Sequence, residues 1–458
     1  MKKQSKNRVA TFTAAALSLA LLAACSVAPG STGTTGMTGT SKPAGSEGVK
    51  QYTAAPAVAR YDEVNNYYTA VNSPQKPVLS AEMAKALRSF SRESFRLLFQ
   101  SKADDNLLYV PLSLYMDLSM LTDATASQTR ADLDRALNQG EDITAQARQE
   151  AMQALLYSYN KEIVEGDIKA RLANAIWLKD SYKYTDGYQQ LLEDVYQADS
   201  YTWAQGAEKS ASAAMGRWVE DNTFGLLPAS TIPDDLPRST TLMVLLNALY
   251  YKCSWGFEFD PELNTKAPFQ LPDGSTVEAE FMNQTIYKSR GVIEAQYQAA
   301  DIIMSDLSRM RFVLPNEGIE PEDLLENDGF WRDLLDLQAD DSAIVNWTIP
   351  KSDVNGKMDL LPLLEDLGLG SLMKFMDMSA GLEGSPDAFL SEATQAVRIK
   401  MHEKGVEAAA VTVLAVDESA PMNPPEIDMK LDRPFFAALI SPEGQAIFLA
   451  YIEVPQSK

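Results

Sequence analysis

The sequence predicts an α+β fold. Three observations carry it. Helical stripes crowd the first third of the folded part, short strand-like runs fill the rest, and the chain closes on a hairpin. Helices first and strands later is the pattern of segregated layers rather than of alternating βαβ units.

The elements follow in chain order. Ala81 to Gln100 sets Met83, Ala86, Leu87, Phe90, Phe95 and Leu98 mostly three and four residues apart. That spacing is the stripe of an amphipathic helix. Pro111-Leu-Ser opens a second helix with Leu114, Leu118 and Leu121, and Gln128 to Leu137 and Ile143 to Tyr157 add two more. Strand signals then take over. Ala173-Asn-Ala-Ile-Trp-Leu is short and apolar, and Leu242 to Tyr251 is an apolar run suited to a strand buried on both faces. Phe269 to Leu271 and Val277 to Met282 flank the turn Pro272-Asp273-Gly274. Ile302 to Met304, Arg311 to Leu314 and Ala343 to Ile349 follow. Phe435 to Ile440 and Ala446 to Val454 are joined by a turn at Ser441-Pro-Glu-Gly444. No internal repeat, phosphate loop or heptad run interrupts this order.

Composition excludes several chemistries. The 458 residues include one histidine and two cysteines, with a formal net charge of −23. A zinc site needs several imidazoles or thiolates, so no metal site is expected. Two cysteines cannot build a disulfide framework. A Ser-His-Asp enzyme would have to rely on His402 alone. Nucleic acid wants a basic face, so no nucleic-acid partner is expected either. No cofactor motif is present. Cys253 reads as a buried small hydrophobe, since no neighbouring histidine activates it.

The start of the chain reads as an export signal. Lys2, Lys3, Lys6 and Arg8 precede an apolar run from Val9 to Ala24, which ends in Leu22-Ala23-Ala24-Cys25. This ending resembles a bacterial lipobox, which implies acylation of Cys25 and a lipid anchor. The run is too short for a stable membrane span. The expected organisation is a leader over 1–24, a tether over 25–75 rich in Gly, Ser, Thr, Pro and Ala, and one folded domain over 76–458. The first 75 residues carry seven basic and three acidic side chains, so the acidity lies on the folded part. The expected location is extracytoplasmic, at a bacterial cell membrane or surface.

Longer motifs then point to a family. Asn106-Leu-Leu-Tyr-Val-Pro111-Leu-Ser113, Trp218-Val219 with Thr223, Leu246-Asn247-Ala248-Leu249-Tyr250-Tyr251-Lys252 with Trp255, Ile349-Pro350-Lys351, Leu367-Gly368-Leu369 and Asp432-Arg433-Pro434-Phe435-Phe436 stand in the order of serpin landmarks. Together they resemble a serpin from about residue 80 to 456. The resemblance implies one domain of three β-sheets and eight or nine helices, with an exposed reactive-centre loop.

The segment Glu403-Lys404-Gly405-Val406-Glu407-Ala408-Ala409-Ala410 is similar to a serpin hinge, with Val406 where Thr or Ser is usual. Its residues alone say something too. Val406, Ala408, Ala410, Thr412, Leu414 and Val416 would share one face of a strand, and none is charged. Asp417 to Pro425 is polar and proline-rich, as in an exposed loop. By the resemblance, a protease cleaves the loop, becomes trapped as an acyl-enzyme and is carried as the loop inserts into the central sheet. Counting from Glu403 places the reactive bond at Ser419-Ala420, and counting back from the C-terminal signature gives Met422-Asn423. The first count is preferred, because the inserted length sets how far the protease travels. A small residue before the cut suits an elastase-like or subtilisin-like protease. No Lys or Arg lies between Gly405 and Met429, which argues against trypsin-like targets.

The shutter and breach positions implied are Ser113, Asn247, Trp255 and Gln395. Gln395 stands where serpins often have a histidine, with Ser113 as an expected partner. The expected partners are a serine protease (a cysteine protease is open) and a membrane through Cys25, with the protein a monomer. The competing reading is a non-inhibitory binding protein on the same scaffold. A hydrolase reading of His402-Glu403 fails because Val406 stands where a second histidine would be needed.

Overall fold

The computed structural model describes residues 17–27, 49–51, 59–61, 77–102, 106–163, 169–406 and 424–455. The first long helix, Ala81–Gln100, begins where Ser80 accepts a hydrogen bond from the Met83 amide at 3.1 Å, a side-chain cap. Its stripe buries Met83, Leu87, Phe90, Phe95 and Leu98, as the spacing predicts. Pro111–Ala124 is buried on every side, because it runs beneath the central sheet instead of along the surface. Pro at its first turn costs no internal hydrogen bond. Ser127–Asn138 and Ala145–Tyr159 match the next two expected helices within two residues. Glu208–Asn222 is a helix the periodicity did not single out.

Three sheets make up the β part, with nine α-helices among the described residues. Six strands of the central sheet matter here. They are β1 (Leu17–Val27), β2 (Lys169–Lys179), β3 (Thr241–Ser254), β4 (Ser352–Asp359), β5 (Asp387–Met401) and β6 (Gly405–Val406). The order across the sheet is β4-β5-β1-β3-β2, each pair antiparallel. Residues 17–27, the end of the expected leader and the start of the expected tether, therefore run through the middle of the sheet in the full chain. A run of small and apolar residues suits a central strand as well as a leader, because both sit where water is excluded. Val49–Gln51 and Ala59–Tyr61, inside the expected tether, pair with Asp199–Trp203 and Lys161–Ile163.

The sheet is covered on both faces, and β3 shows it by alternation. Met243, Leu245, Leu249 and Tyr251 enter the main core, while Val244, Leu246 and Ala248 enter a second cluster under the Glu208–Asn222 helix. The second cluster holds Trp177, Trp203 and Trp218. The main core continues into the six-stranded sheet, whose Phe436 and Tyr451 rings pack against Phe99 of the first helix at 5.6 and 4.9 Å. The closing hairpin, Phe435–Ile440 with Ala446–Ile452, is the expected one and is wholly buried.

Candidate functional site

The site is built around the column between β3 and β5. β5 ends at Met401, the chain turns through His402 to Lys404, and β6 comes back between the two strands. Gly405 pairs with Ser254 and Val406 with Cys253 on β3. Below them β1 fills the same column, from Leu17 opposite Tyr251 to Ser26 opposite Thr241. On its other side β1 pairs with β5 from Ser18–Arg398 to Val27–Ala388. The sheet thus takes a full central strand, hydrogen-bonded on both edges, at the foot of the hinge.

Charge fastens the top of the column. The Lys351 ammonium reaches Glu403 at 2.8 Å and Glu280 at 3.2 Å. The Asn264 amide donates to the same Glu403 oxygen at 2.6 Å and to Glu280 at 3.1 Å. Burial alone would raise the Glu403 carboxyl, but the Lys351 and Asn264 hydrogen bonds outweigh it and hold the group below its ordinary range. Burial likewise works against the Lys351 ammonium, and its two carboxylate partners raise it regardless. The Trp255 indole donates to the His402 carbonyl at 2.9 Å and its ring meets Phe259 edge-on. Gly256 next to it admits no side chain, since a Cβ would lie 2.9 Å from the Ile303 carbonyl oxygen. Beneath Trp255 lies a small apolar cavity of about 10 Å³, bounded by Tyr251, Met310 and Ile399 among others. It forfeits dispersion contacts at the place where the column opens.

His402 follows directly on the end of β5. Its Nδ1 accepts the Lys404 amide at 3.3 Å. Cys253 is free and buried, and burial pushes its thiol well above the ordinary value, so it stays protonated.

Neutral amides fasten the middle of the column. Gln395 is fully buried on β5. Its amide accepts from the Val110 N–H at 2.9 Å and donates to the Val110 carbonyl at 3.1 Å. This corrects the expected bond to Ser113, whose buried hydroxyl has no partner among the described residues. A primary amide carries one donor and one acceptor face, and the Val110 backbone offers the matching pair ahead of the Pro111 helix. Asn247 on β3 donates to Asn174 of β2 at 2.7 Å, and Asn174 donates onward to the Tyr196 carbonyl at 2.8 Å. The remaining Asn247 oxygen is buried without a partner among the described residues.

The structure therefore brings Glu403, Gly405, Val406 and Trp255 together at the top, and Ser113, Asn247 and Gln395 in the middle. Ala408, Ala409, Ala410 and both reactive-bond candidates, Ser419-Ala420 and Met422-Asn423, lie outside the described residues. Sequence reasoning missed Asn174, Asn264 and Glu280. Asn174 had a readable signal, a lone amide in an apolar strand like that of Asn247, since two such groups must find partners. Asn264 and Glu280 sit in ordinary polar surroundings and offered none.

Comparison with known proteins follows this geometry. The family model described as Serpin (serine protease inhibitor) matches residues 85–453. A leukocyte elastase inhibitor of Sus scrofa is 27% identical over 392 residues, spanning 82% of this chain and 100% of the relative. A serine protease inhibitor of Cyanea capillata is 25% identical over 374 residues, 79% of this chain and 95% of the relative. Among solved structures, the native state of the thermophilic serpin tengpin superposes with a TM-score of 0.69 at 23% identity, over 82% of this chain and 95% of its own. Thyroxine-binding globulin in complex with thyroxine gives 0.67 at 22% identity, over 82% of this chain and 100% of its own. At these identities the two solved structures speak for the fold.

Proposed function

Because the chain belongs to the serpin family, whose members are in general inhibitors of serine proteases, we propose that it is a lipid-anchored suicide inhibitor of an elastase-like or subtilisin-like serine protease. The observation that carries this reading is the column between β3 and β5, with the hinge backbone at its top and a full strand's worth of ladder below. A segment of small and apolar residues, Val406 to Val416, is suited to occupy such a column.

The chemistry belongs to the protease. Its serine oxygen attacks the Ser419 carbonyl carbon, the Ala420 nitrogen leaves with a proton, and an ester joins protease to inhibitor. The freed hinge enters the column and draws the ester-linked protease away from the geometry that deacylation needs. The driving free energy is that of a native state held by kinetics, released as new ladder bonds and buried surface form. The small side chains on the hinge allow this, whereas a buried charge would oppose it.

Incubation with pancreatic elastase and with subtilisin is the test. The expected result is a covalent complex stable in SDS, near the summed mass, with mass spectrometry of the released fragment locating the bond. Cleaved chain alone across a panel of serine proteases overturns the proposal and favours a binding role. The anchor is tested separately. Palmitate labelling of membranes should be abolished by Cys25→Ser, and unchanged labelling would remove Cys25 from its role.

A further inference from the structure

A cavity outside the hinge has features that the inhibitory reading does not use. It is polar, about 220 Å³ in volume, and lies between the turn after Tyr297–Ile303, the end of the Asp328–Leu335 helix and the turn at Ser441. Three arginines reach it, and they differ in how they are satisfied. Arg311 makes a paired contact with Asp301 at 2.6 and 2.9 Å and a third bond to the Leu334 carbonyl. Arg290 takes both oxygens of Asp341 at 3.1 and 3.3 Å. Arg309 has one long contact to Asp341 at 3.4 Å and, among the described residues, no guanidinium hydrogen bond, with its side chain 19% exposed. A guanidinium carries five N–H donors, and those of Arg309 are not sealed from solvent but remain open to the cavity. Burial, and then the charge of Arg290, lower its proton affinity, while Asp301 and Asp341 act the other way.

A second oddity lies at the mouth. Leu307 holds a left-handed backbone, φ +70°, at the turn between two strands, and the residue is 38% exposed. Glycine or asparagine adopts that conformation at little cost, and leucine does not. A strained backbone that presents an apolar residue to solvent beside a cation open to the same cavity reads as a binding feature. Leu337 and Ile440 continue the apolar wall, and Asp336 lies on the rim. The Asp336 carboxylate, which accepts from Gln338 at 2.7 Å, disfavours multiply charged anions.

We propose that this cavity binds a small organic acid with one carboxylate and a short apolar body. The carboxylate pairs with Arg309 in the two-pronged geometry that guanidinium favours. The apolar body lies against Leu307 and Ile440.

The test uses the whole chain and titration calorimetry with three probes: hexanoate, hexanol and inorganic phosphate. Hexanoate should bind, with the other two at least about tenfold weaker, since each lacks one half of the recognition. Arg309→Gln should abolish hexanoate binding. Leu307→Asn guards against a folding artefact, because it should raise the melting temperature while weakening hexanoate about tenfold. Absence of hexanoate binding, equal binding of hexanol or phosphate, or unchanged affinity in folded Arg309→Gln overturns the proposal. So does a stabilised Leu307→Asn that still binds hexanoate at full strength. None of these readouts depends on protease inhibition.

Discussion

The top and the middle of the column are fastened in opposite ways. At the hinge, Glu403, Lys351, Glu280 and Asn264 form a charged latch that is only partly buried. In the middle, Gln395, Asn247 and Asn174 are neutral and fully buried. A charged latch near water is weak, adjustable by salt and pH, and opens without stranding a group in an apolar interior. A buried amide clasp is stricter, because opening it orphans both partners. The difference places the weaker fastening where, under the proposed inhibitory reading, a loop would begin to enter, and places resistance deeper in the sheet.

The largest effect expected is in the middle. Gln395→Leu removes both partners of the Val110 backbone and should cost about 3 kcal/mol in urea unfolding, with no dependence on salt. A strong salt dependence of that loss would break the contrast. At the latch, Lys351→Met should cost about 1 kcal/mol at low salt and less at high salt. Glu403 has a lowered folded pKa, so its contribution is present above the ordinary 4.5 and is lost as pH falls through the folded value. The variant should therefore lose part of the acid-side decline in melting temperature.

Asp117 sharpens the comparison because its sign is opposite. It sits fully buried on the Pro111–Ala124 helix, with both carboxyl oxygens lacking partners among the described residues. Desolvation raises it well above the ordinary 3.8. Its folded form keeps a proton that the unfolded chain gives up, so stability falls as pH rises from 3.8 toward the folded value. Asp117→Asn should flatten that slope on the alkaline side of 3.8, and an unchanged slope would place the proton elsewhere. The smallest effect is expected at the rim of the sheet. The Arg398–Asp353 pair, at 2.9 and 3.0 Å but exposed, should yield about 0.5 kcal/mol in a double-mutant cycle.

Much of this was legible in the sequence, and the remainder was not for definite reasons. The stripe of Ala81–Gln100 and the apolar run inside β3 are strong periodic signals set by burial on one face or on two. Glu208–Asn222 escaped because its buried face includes Ala211, Ser212 and Gly216, which carry little hydropathy. Gln395 is buried on β5, but its partner is not the expected Ser113, since the Val110 backbone competes with side chains and leaves no trace in residue type. The reactive bond could only be counted from two ends, and the counts differ because loop length is free to vary. Residues 17–27 have a composition that serves a leader and a central strand alike, so sequence could not separate the two.

That last ambiguity has a geometric outcome. β6 and β1 run in the same direction along β3 and follow one register. Were the chain to continue in that register, Ala408 would fall opposite Tyr251, where Leu17 is paired, and Val416 opposite Met243, the partner of Cys25. Under the proposed inhibitory reading, the ladder would then have a single berth and two claimants within one polypeptide. Cleavage before Cys25 would remove Leu17 to Ala24, most of one claimant, so the event proposed to tether the protein would also clear most of the berth proposed for its loop.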